Sequence, residues 1–239
     1  MDVAPNRDNE NGIMIDEPPL LTVAKTTDRP DAKLVKRFRD VPTSFICDAL
    51  GGQGALDWRI KPIGEPFMTG VALTCDCGPA DILALSVAVA RCQPGDVLVA
   101  ATGGHHGTAV IGDLLLGIAK NRGAAGLVTD GLIRDRVDVE ALHLPVYAMG
   151  VNPNSPYGHG PGTVGLPVVC GGRTVSSGDI VVGDRDGVVT VPFARIAEVL
   201  ERLEEVKAAE AGMLKKVKAG LKEVAKAEAV LKGPRVKFV

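Results

Sequence analysis

Gly112-Asp-Leu-Leu-Leu-Gly-Ile-Ala-Lys-Asn-Arg-Gly-Ala-Ala-Gly-Leu-Val-Thr-Asp-Gly-Leu-Ile-Arg-Asp-Arg-Val-Asp138 decides the reading of this chain. Leu114 to Arg122 has the apolar spacing of a helix, and Gly126 to Thr129 is a short apolar strand entering a polar turn. Just upstream, Asp96 to Ala100 reads as another strand and Ala101 to Gly107 as a Gly-rich loop. A helix of about ten residues runs back roughly 15 Å. A five-residue strand returns by about the same distance. The Gly-rich loop, the helix start at Gly112-Asp113 and the turn at Arg134-Asp135 therefore share one edge of a sheet. Open α/β sheets bind ligands at that edge, beyond the carboxyl ends of their strands.

The residue types there suit one kind of chemistry. Asp135 offers a hard oxygen for Mg2+ or Mn2+. Arg134 offers a permanently charged fork for a carboxylate or a developing oxyanion. Gly103, Gly104 and Gly107 permit close backbone approach, and a helix N-terminus behind them supplies unpaired amides for an anion. Together these fit the stabilisation of an enolate. Taken alone, an Arg-Asp dipeptide is usually a solvated turn, and the flanking sequence is what gives this one weight.

That flanking sequence consists of Thr43-Ser-Phe-Ile-Cys-Asp-Ala-Leu50, Gln93-Pro-Gly-Asp-Val-Leu-Val99, Asp113 with Arg134-Asp-Arg-Val-Asp138, Val168-Val-Cys-Gly-Gly172 and Ser177-Gly-Asp-Ile-Val-Val-Gly-Asp-Arg-Asp-Gly-Val-Val-Thr-Val-Pro192. In this order and spacing, over about two thirds of the chain, it resembles the family of class II 4-hydroxy-4-methyl-2-oxoglutarate/4-carboxy-4-hydroxy-2-oxoadipate aldolases and of the regulator of ribonuclease activity A. The resemblance implies an α/β fold, the RraA-like β/β/α swivelling domain with a mixed sheet, here with a long C-terminal helix. It also implies homotrimers or homohexamers with the site at a subunit boundary. The activity implied is metal-dependent cleavage of a 4-hydroxy-2-oxo acid to pyruvate and a second oxo acid, with oxaloacetate decarboxylation as a side reaction. Mg2+ or Mn2+ would be held by Asp135. Arg134 would hold the oxo group or the C4 oxygen. Gly104, His105, His106, Gly107, Gly112 and Asp113 would line the substrate. Asp113 or Glu210 of a neighbouring copy would assist proton transfer, although Glu210 also reads as a solvated glutamate. Two alternatives stay open: a protein-binding regulator of ribonuclease activity, and a related lyase acting on another oxo or sugar acid. His105-His106 and Asn152-Pro-Asn-Ser-Pro-Tyr-Gly-His159 depart from the family pattern and both border the expected substrate.

Composition narrows the classes. The net charge is −2 and aromatic residues make up 3% of the chain, so it lacks the basic face and stacking platform of a nucleic-acid binder. No apolar run reaches membrane-spanning length, and the acidic start carries no secretory pattern, so the expected location is the cytoplasm. Five cysteines, an odd number without zinc-type spacing, read as reduced packing residues.

Residues 1–30 are polar and acidic and read as a flexible arm or one that docks on a neighbouring subunit, 31–192 as the catalytic domain, and 193–239 as a helical extension packing on the body or on a neighbouring subunit. Within the body, the expected elements are a helix over Asp31–Phe38, a helix capped by Thr43 or Ser44, and strands over Pro66–Cys77 and Val146–Met149. A helix capped by Asp81, one β segment over Thr163–Val169, and a hairpin turning at Asp184–Gly187 complete the list. Phe193 to Lys232 reads as one charged helix or two joined near Gly220. Lys120, in the middle of a helix, reads as solvated and not as a Schiff-base former.

Overall fold

A computed structural model describes residues 19–239. In chain order the first elements are β1 (Leu21–Val23), α1 (Ala32–Lys36), α2 (Thr43–Ala49), β2 (Lys61–Ile63), β3 (Met68–Asp76) and α3 (Leu83–Arg91). The central part continues with β4 (Asp96–Ala101), β5 (Ala109–Ile111), α4 (Asp113–Asn121), β6 (Gly126–Thr129), β7 (Leu132–Ile133), α5 (Arg136–Ala141), β8 (Val146–Ala148) and β9 (Gly150–Val151). The chain then forms β10 (Gly162–Val164), β11 (Val168–Cys170), β12 (Arg173–Val175), β13 (Ile180–Gly183), β14 (Val188–Val191), α6 (Ile196–Lys218) and α7 (Ala225–Leu231).

Strands β3, β4, β6 and β8 run parallel at the centre of a mixed sheet. Antiparallel β2 closes one side, and on the other β13 and β10 share the free edge of β3. β4 is buried along its whole length, which is why its sequence is a continuous apolar run after Asp96. Its side chains alternate between two cores. Leu98 and Ala100 face α3, α4 and α5, packing with Leu85, Leu116 and Val139. Val97, Val99 and Ala101 face the small β11–β12 hairpin, packing with Val168, Cys170 and Val175. The result is hairpin, sheet and helices in three layers, the mixed α/β arrangement with a long C-terminal helix that the sequence implies. A third core joins α2 and the β13–β14 hairpin to the first half of α6 through Ile46, Val189, Val199 and Leu203.

Three local expectations need correction. The arm is ordered well before residue 31: Leu21–Val23 pairs in parallel with Gly162–Val164, and Arg29 bonds the buried carboxylate of Asp96. Its strand partner lies some 140 positions away in sequence, so local polarity hides it. The first 18 residues of the expected arm lie outside the described residues. Thr43 does not cap α2, because its N–H and hydroxyl both donate to Asp184, 2.8 and 2.9 Å away. The single β segment over Thr163–Val169 is two strands in different sheets, split by Gly165 (φ 81°), Leu166 and Pro167. Asp81 does accept from Leu83 N at the start of α3, and the C-terminal helix is two, separated after Gly220.

Candidate active site

A second, smaller sheet builds the site. β5, β7 and β9 lie side by side in parallel, with Ile111, Ile133 and Val151 in register. The turns that leave these three strands are therefore adjacent in space: Gly112-Asp113 after β5, Arg134-Asp135 after β7, Asn152 after β9. The Arg134 N–H donates to Ile111 O at 3.0 Å, and the Asn152 N–H to Ile133 O at 2.9 Å. Strands of two or three residues leave little periodicity, and this sheet was not among the expected elements.

Gly112 ends β5 and immediately precedes α4. Its φ of −129° suits any residue. What requires glycine is proximity. A Cβ there would overlap Asp135 Oδ2 outright and lie 3.0 Å from Arg134 Nε. The helix start is thus pressed against the Arg134–Asp135 pair, where its partial positive charge favours anions. Asp135 adopts the left-handed conformation, φ 56°, an arrangement that costs a non-glycine residue on the order of 1–3 kcal/mol. It stands at the N-cap of α5 without capping it. Its Oδ2 instead accepts from Arg134 Nε at 3.1 Å, and both side chains remain about a third exposed, 36% and 37%. Arg134 Nη1 donates to Ser155 Oγ at 2.5 Å, while its Nη2 has no partner among the described residues.

The Gly-rich loop is anchored from below. Buried Asp130, just beyond β6, accepts from the Thr102 N–H at 2.7 Å and from the Thr102 hydroxyl at 3.0 Å. Gly103 and Gly104 turn with φ of 64° and 71° into open space. From above, Asn152 and Asn154 donate to the His106 and Gly107 carbonyls, each at 3.0 Å. Of the expected site residues, Gly104, His106, Gly107, Gly112, Asp113, Arg134 and Asp135 thus belong to one connected edge. His105 packs within the loop itself. Its ring tucks under the loop with Nε2 buried and unpartnered, so close that a Cβ on Gly107 would lie 2.8 Å from it. Glu210 is exposed on the outer half of α6, where α6 has no buried residues. Thr102, Asp130 and Ser155 were not singled out individually. For Asp130 the available signal was a Thr-Asp-Gly turn at the carboxyl end of a strand.

A cavity of about 620 Å3, lined by Arg39, Pro42, Phe67, Met68 and Ala125 among others, opens at the opposite, amino-terminal edge of the parallel strands and does not include this chemistry. The cysteines are free; burial raises the Cys170 thiol and raises Cys92 to about 11, so neither presents a thiolate. Lys120 donates to Leu142 O at 2.6 Å on the surface.

For a divalent cation the test is the donor set. No three His, Cys, Asp or Glu side chains converge among the described residues. Asp135 supplies one hard oxygen, Oδ1, with Oδ2 engaged by Arg134. Mg2+ commonly takes one or two carboxylates and fills its sphere with substrate oxygens and water. The residues fit a cation held that way. No helix of the described residues is long and apolar enough to cross a membrane.

A family model described as RraA-like, Aldolase/RraA, matches residues 43–190. A Halalkalibacterium halodurans protein named "Putative 4-hydroxy-4-methyl-2-oxoglutarate aldolase" is 37% identical over 175 residues, 73% of this chain and 83% of that one. The crystal structure of Streptomyces coelicolor RraAS2, described as an unusual member of the RNase ES inhibitor RraA protein family, superposes with a TM-score of 0.70. It is 29% identical, covering 79% of this chain and 100% of that one. An uncharacterized protein from Pseudomonas syringae gives a TM-score of 0.71 at 26% identity, with 82% and 97% coverage.

Proposed function

The chain belongs to the RraA-like family of aldolases and RraA proteins, and from that premise we propose that it is a class II aldolase cleaving a 4-hydroxy-2-oxo acid to pyruvate and a second oxo acid. One observation carries this reading. Arg134 and Asp135 converge on the N-terminus of α4 with Nη2 and Oδ1 unengaged, at the one position where Gly112 leaves room.

The reaction breaks the C3–C4 bond. A base takes the C4 hydroxyl proton, C4 becomes a carbonyl, and the electron pair is left as the pyruvate enolate, which is then protonated at C3. Arg134 holds the C2 oxygen as its charge grows, or the C4 oxygen, through the free end of its guanidinium. Backbone N–H groups of the Gly-rich loop hold the C1 carboxylate. Those of Gly104, His106 and Gly107 have no partner among the described residues. Asp135 would hold a Mg2+ or Mn2+ ion, which when bound would supply Lewis acidity for the developing enolate. Asp113, whose carboxylate has no hydrogen-bond partner among the described residues, and Glu210 of a neighbouring copy are the candidate proton acceptors. Oxaloacetate decarboxylation passes through the same enolate and belongs to the same site. The assembly that supplies the neighbouring copy is a homotrimer or homohexamer.

The test is pyruvate release from a panel of 4-hydroxy-2-oxo acids and oxaloacetate, with Mg2+ or Mn2+ and after chelation. Metal-dependent release supports the reading, and its absence across the panel refutes it. The likeness to the Streptomyces coelicolor protein favours one second reading, a ribonuclease regulator. A regulator places no demand on Asp135. Inhibition of a ribonuclease that survives Asp135→Ala, in a protein without lyase activity, would establish it instead.

A further inference from the structure

Three residues of the link after β9, Asn152, Asn154 and Ser155, reach two parts of the candidate site, the Gly-rich loop and Arg134. Asn152 Nδ2 donates to His106 O, and Asn154 Nδ2 to Gly107 O. Asn154 O accepts from the Ala109 N–H at 2.9 Å, and Asn152 Oδ1 accepts from the Asn154 N–H at 2.9 Å. Ser155 Oγ accepts from Arg134 Nη1.

A planar trans peptide points its C=O and its N–H in opposite directions. Holding the His106 carbonyl therefore fixes the direction of the Gly107 N–H, and holding the Gly107 carbonyl fixes that of Thr108. Both carbonyls are drawn toward the link, so both N–H groups turn away from it, and neither has a partner among the described residues. The guanidinium is held in the same way. With Nε on Asp135 and one Nη1 N–H on Ser155, the two N–H groups of Nη2 and the second of Nη1 are left, in a fixed plane, to meet a ligand.

We infer that Asn152–Ser155 is a positioning clamp that sets two ligand-binding elements at once: Asn152 and Asn154 aim the Gly107 and Thr108 amides at a carboxylate, and Ser155 aims Arg134 at the oxygen that gains charge. The inference rests on the aldolase reading and adds residues to it. Because the two ends of the clamp serve different groups, their loss has different signatures. Ser155→Ala frees the guanidinium in the transition state and lowers kcat by about tenfold or more, the scale of one hydrogen bond to a charged group, with KM little changed. Ser155→Thr keeps the hydroxyl and restores kcat. Asn154→Ala loosens the amides that hold the ground-state carboxylate and raises KM by about tenfold, with kcat largely kept.

The experiment measures kcat, KM and Tm for these three variants, for Arg134→Lys and for the pair Ser155→Ala/Arg134→Lys. It also measures the affinity of oxalate, a planar dianion like the enolate, by calorimetry with Mg2+. The expected result is the kcat–KM split, weaker oxalate binding in Asn154→Ala, and no added loss when Ser155→Ala is placed on Arg134→Lys. An active wild type whose variants change kcat and KM together, in step with Tm, overturns the clamp and leaves the aldolase reading standing. So do losses that add across the Ser155–Arg134 pair. A wild type that neither releases pyruvate nor binds oxalate overturns the aldolase reading, and the clamp with it.

Discussion

Gly112→Ala separates the site from the fold. A methyl group at this position overlaps Asp135 Oδ2, and lies 3.0 Å from Arg134 Nε and 3.1 Å from Arg134 Cγ, at the limit that side-chain carbons respect. The backbone does not object, because φ is −129°. The atoms in the way all belong to two side chains about a third exposed, which can swing toward solvent. Replacing glycine where alanine is allowed stabilises by about 0.4–1 kcal/mol through the unfolded chain. That offsets much of the cost of moving the two side chains, so Tm should stay within about 4 °C of wild type. Turnover should not survive. Displacing one well-placed oxyanion donor costs about 10²–10³ in kcat, and here the carboxylate proposed to hold the cation moves with it. Pyruvate release coupled to a dehydrogenase reads the loss, and scanning calorimetry reads the fold. Gly117→Ala on the same helix is the control, since its Cβ would meet only Leu142 Cδ2, at 3.9 Å. It should be fully active and slightly more stable, by up to about 1 kcal/mol. Activity within about threefold of wild type in Gly112→Ala, with unchanged Tm, would refute the claim that the Arg134–Asp135 geometry matters.

The other expectations are briefer. Asp135→Ala removes an exposed turn carboxylate and no core volume, so activity should vanish while Tm holds; near-normal turnover at low Mg2+ would remove Asp135 from the cation. Chelation should abolish pyruvate release and Mg2+ or Mn2+ restore it, while borohydride with pyruvate should leave the chain mass unchanged. A reduced adduct on Lys120 would replace this mechanism with imine chemistry. Leu203→Ala, at a fully buried position of α6, should destabilise by about 2–5 kcal/mol, and a smaller loss would mean that the α2–α6 core is loosely packed. Glu210→Gln and Asp135→Ala should each be nearly inactive alone and regain part of the activity in mixed oligomers. No recovery after verified subunit exchange would return Glu210 to the surface.

The main sheet was legible because its strands carry their own signals. β4 is a continuous apolar run, α4 has a clean helical period, and the turn between β13 and β14 announces itself through Asp184 to Gly187. The meeting of Gly112 with Arg134 and Asp135 was legible for a related reason, since helix and strand lengths fix where the chain returns. Other features depend on partners distant in sequence. β1 reads as part of an acidic arm until residues 162–164 supply its neighbour. β5, β7 and β9 are too short to show a period, although they align the three turns of the site. His105 shows the limit most clearly. Its place in the loop suggested contact with substrate; what the loop sequence does not show is that Gly107, lacking a side chain, lets the ring pack against it with Nε2 buried.

The single protomer also leaves surfaces that bear on how the proposed enzyme is completed. Leu114 and Ile118, one turn apart on α4, are 79% and 52% exposed, and Val137 on neighbouring α5 is 78% exposed. Isolated exposed apolar residues need no explanation, but these flank Asp113 and Arg134-Asp135 on two helices in contact. The outer half of α6 carries the converse. Met213, Leu214 and Val217 are each about half exposed, and at spacings of three, four and seven from Glu210 they share its face. Whatever surface covers that stripe also receives the Glu210 carboxylate. If the surface is the apolar rim of a second copy's site, Glu210 arrives beside the proposed cation site at Asp135 and the Arg134 guanidinium, where a carboxylate is held charged and able to accept a proton. If the stripe instead folds back on its own body, Glu210 serves its own site. The mixed-oligomer experiment distinguishes these two geometries, because only an exchange between subunits lets two inactive chains restore each other.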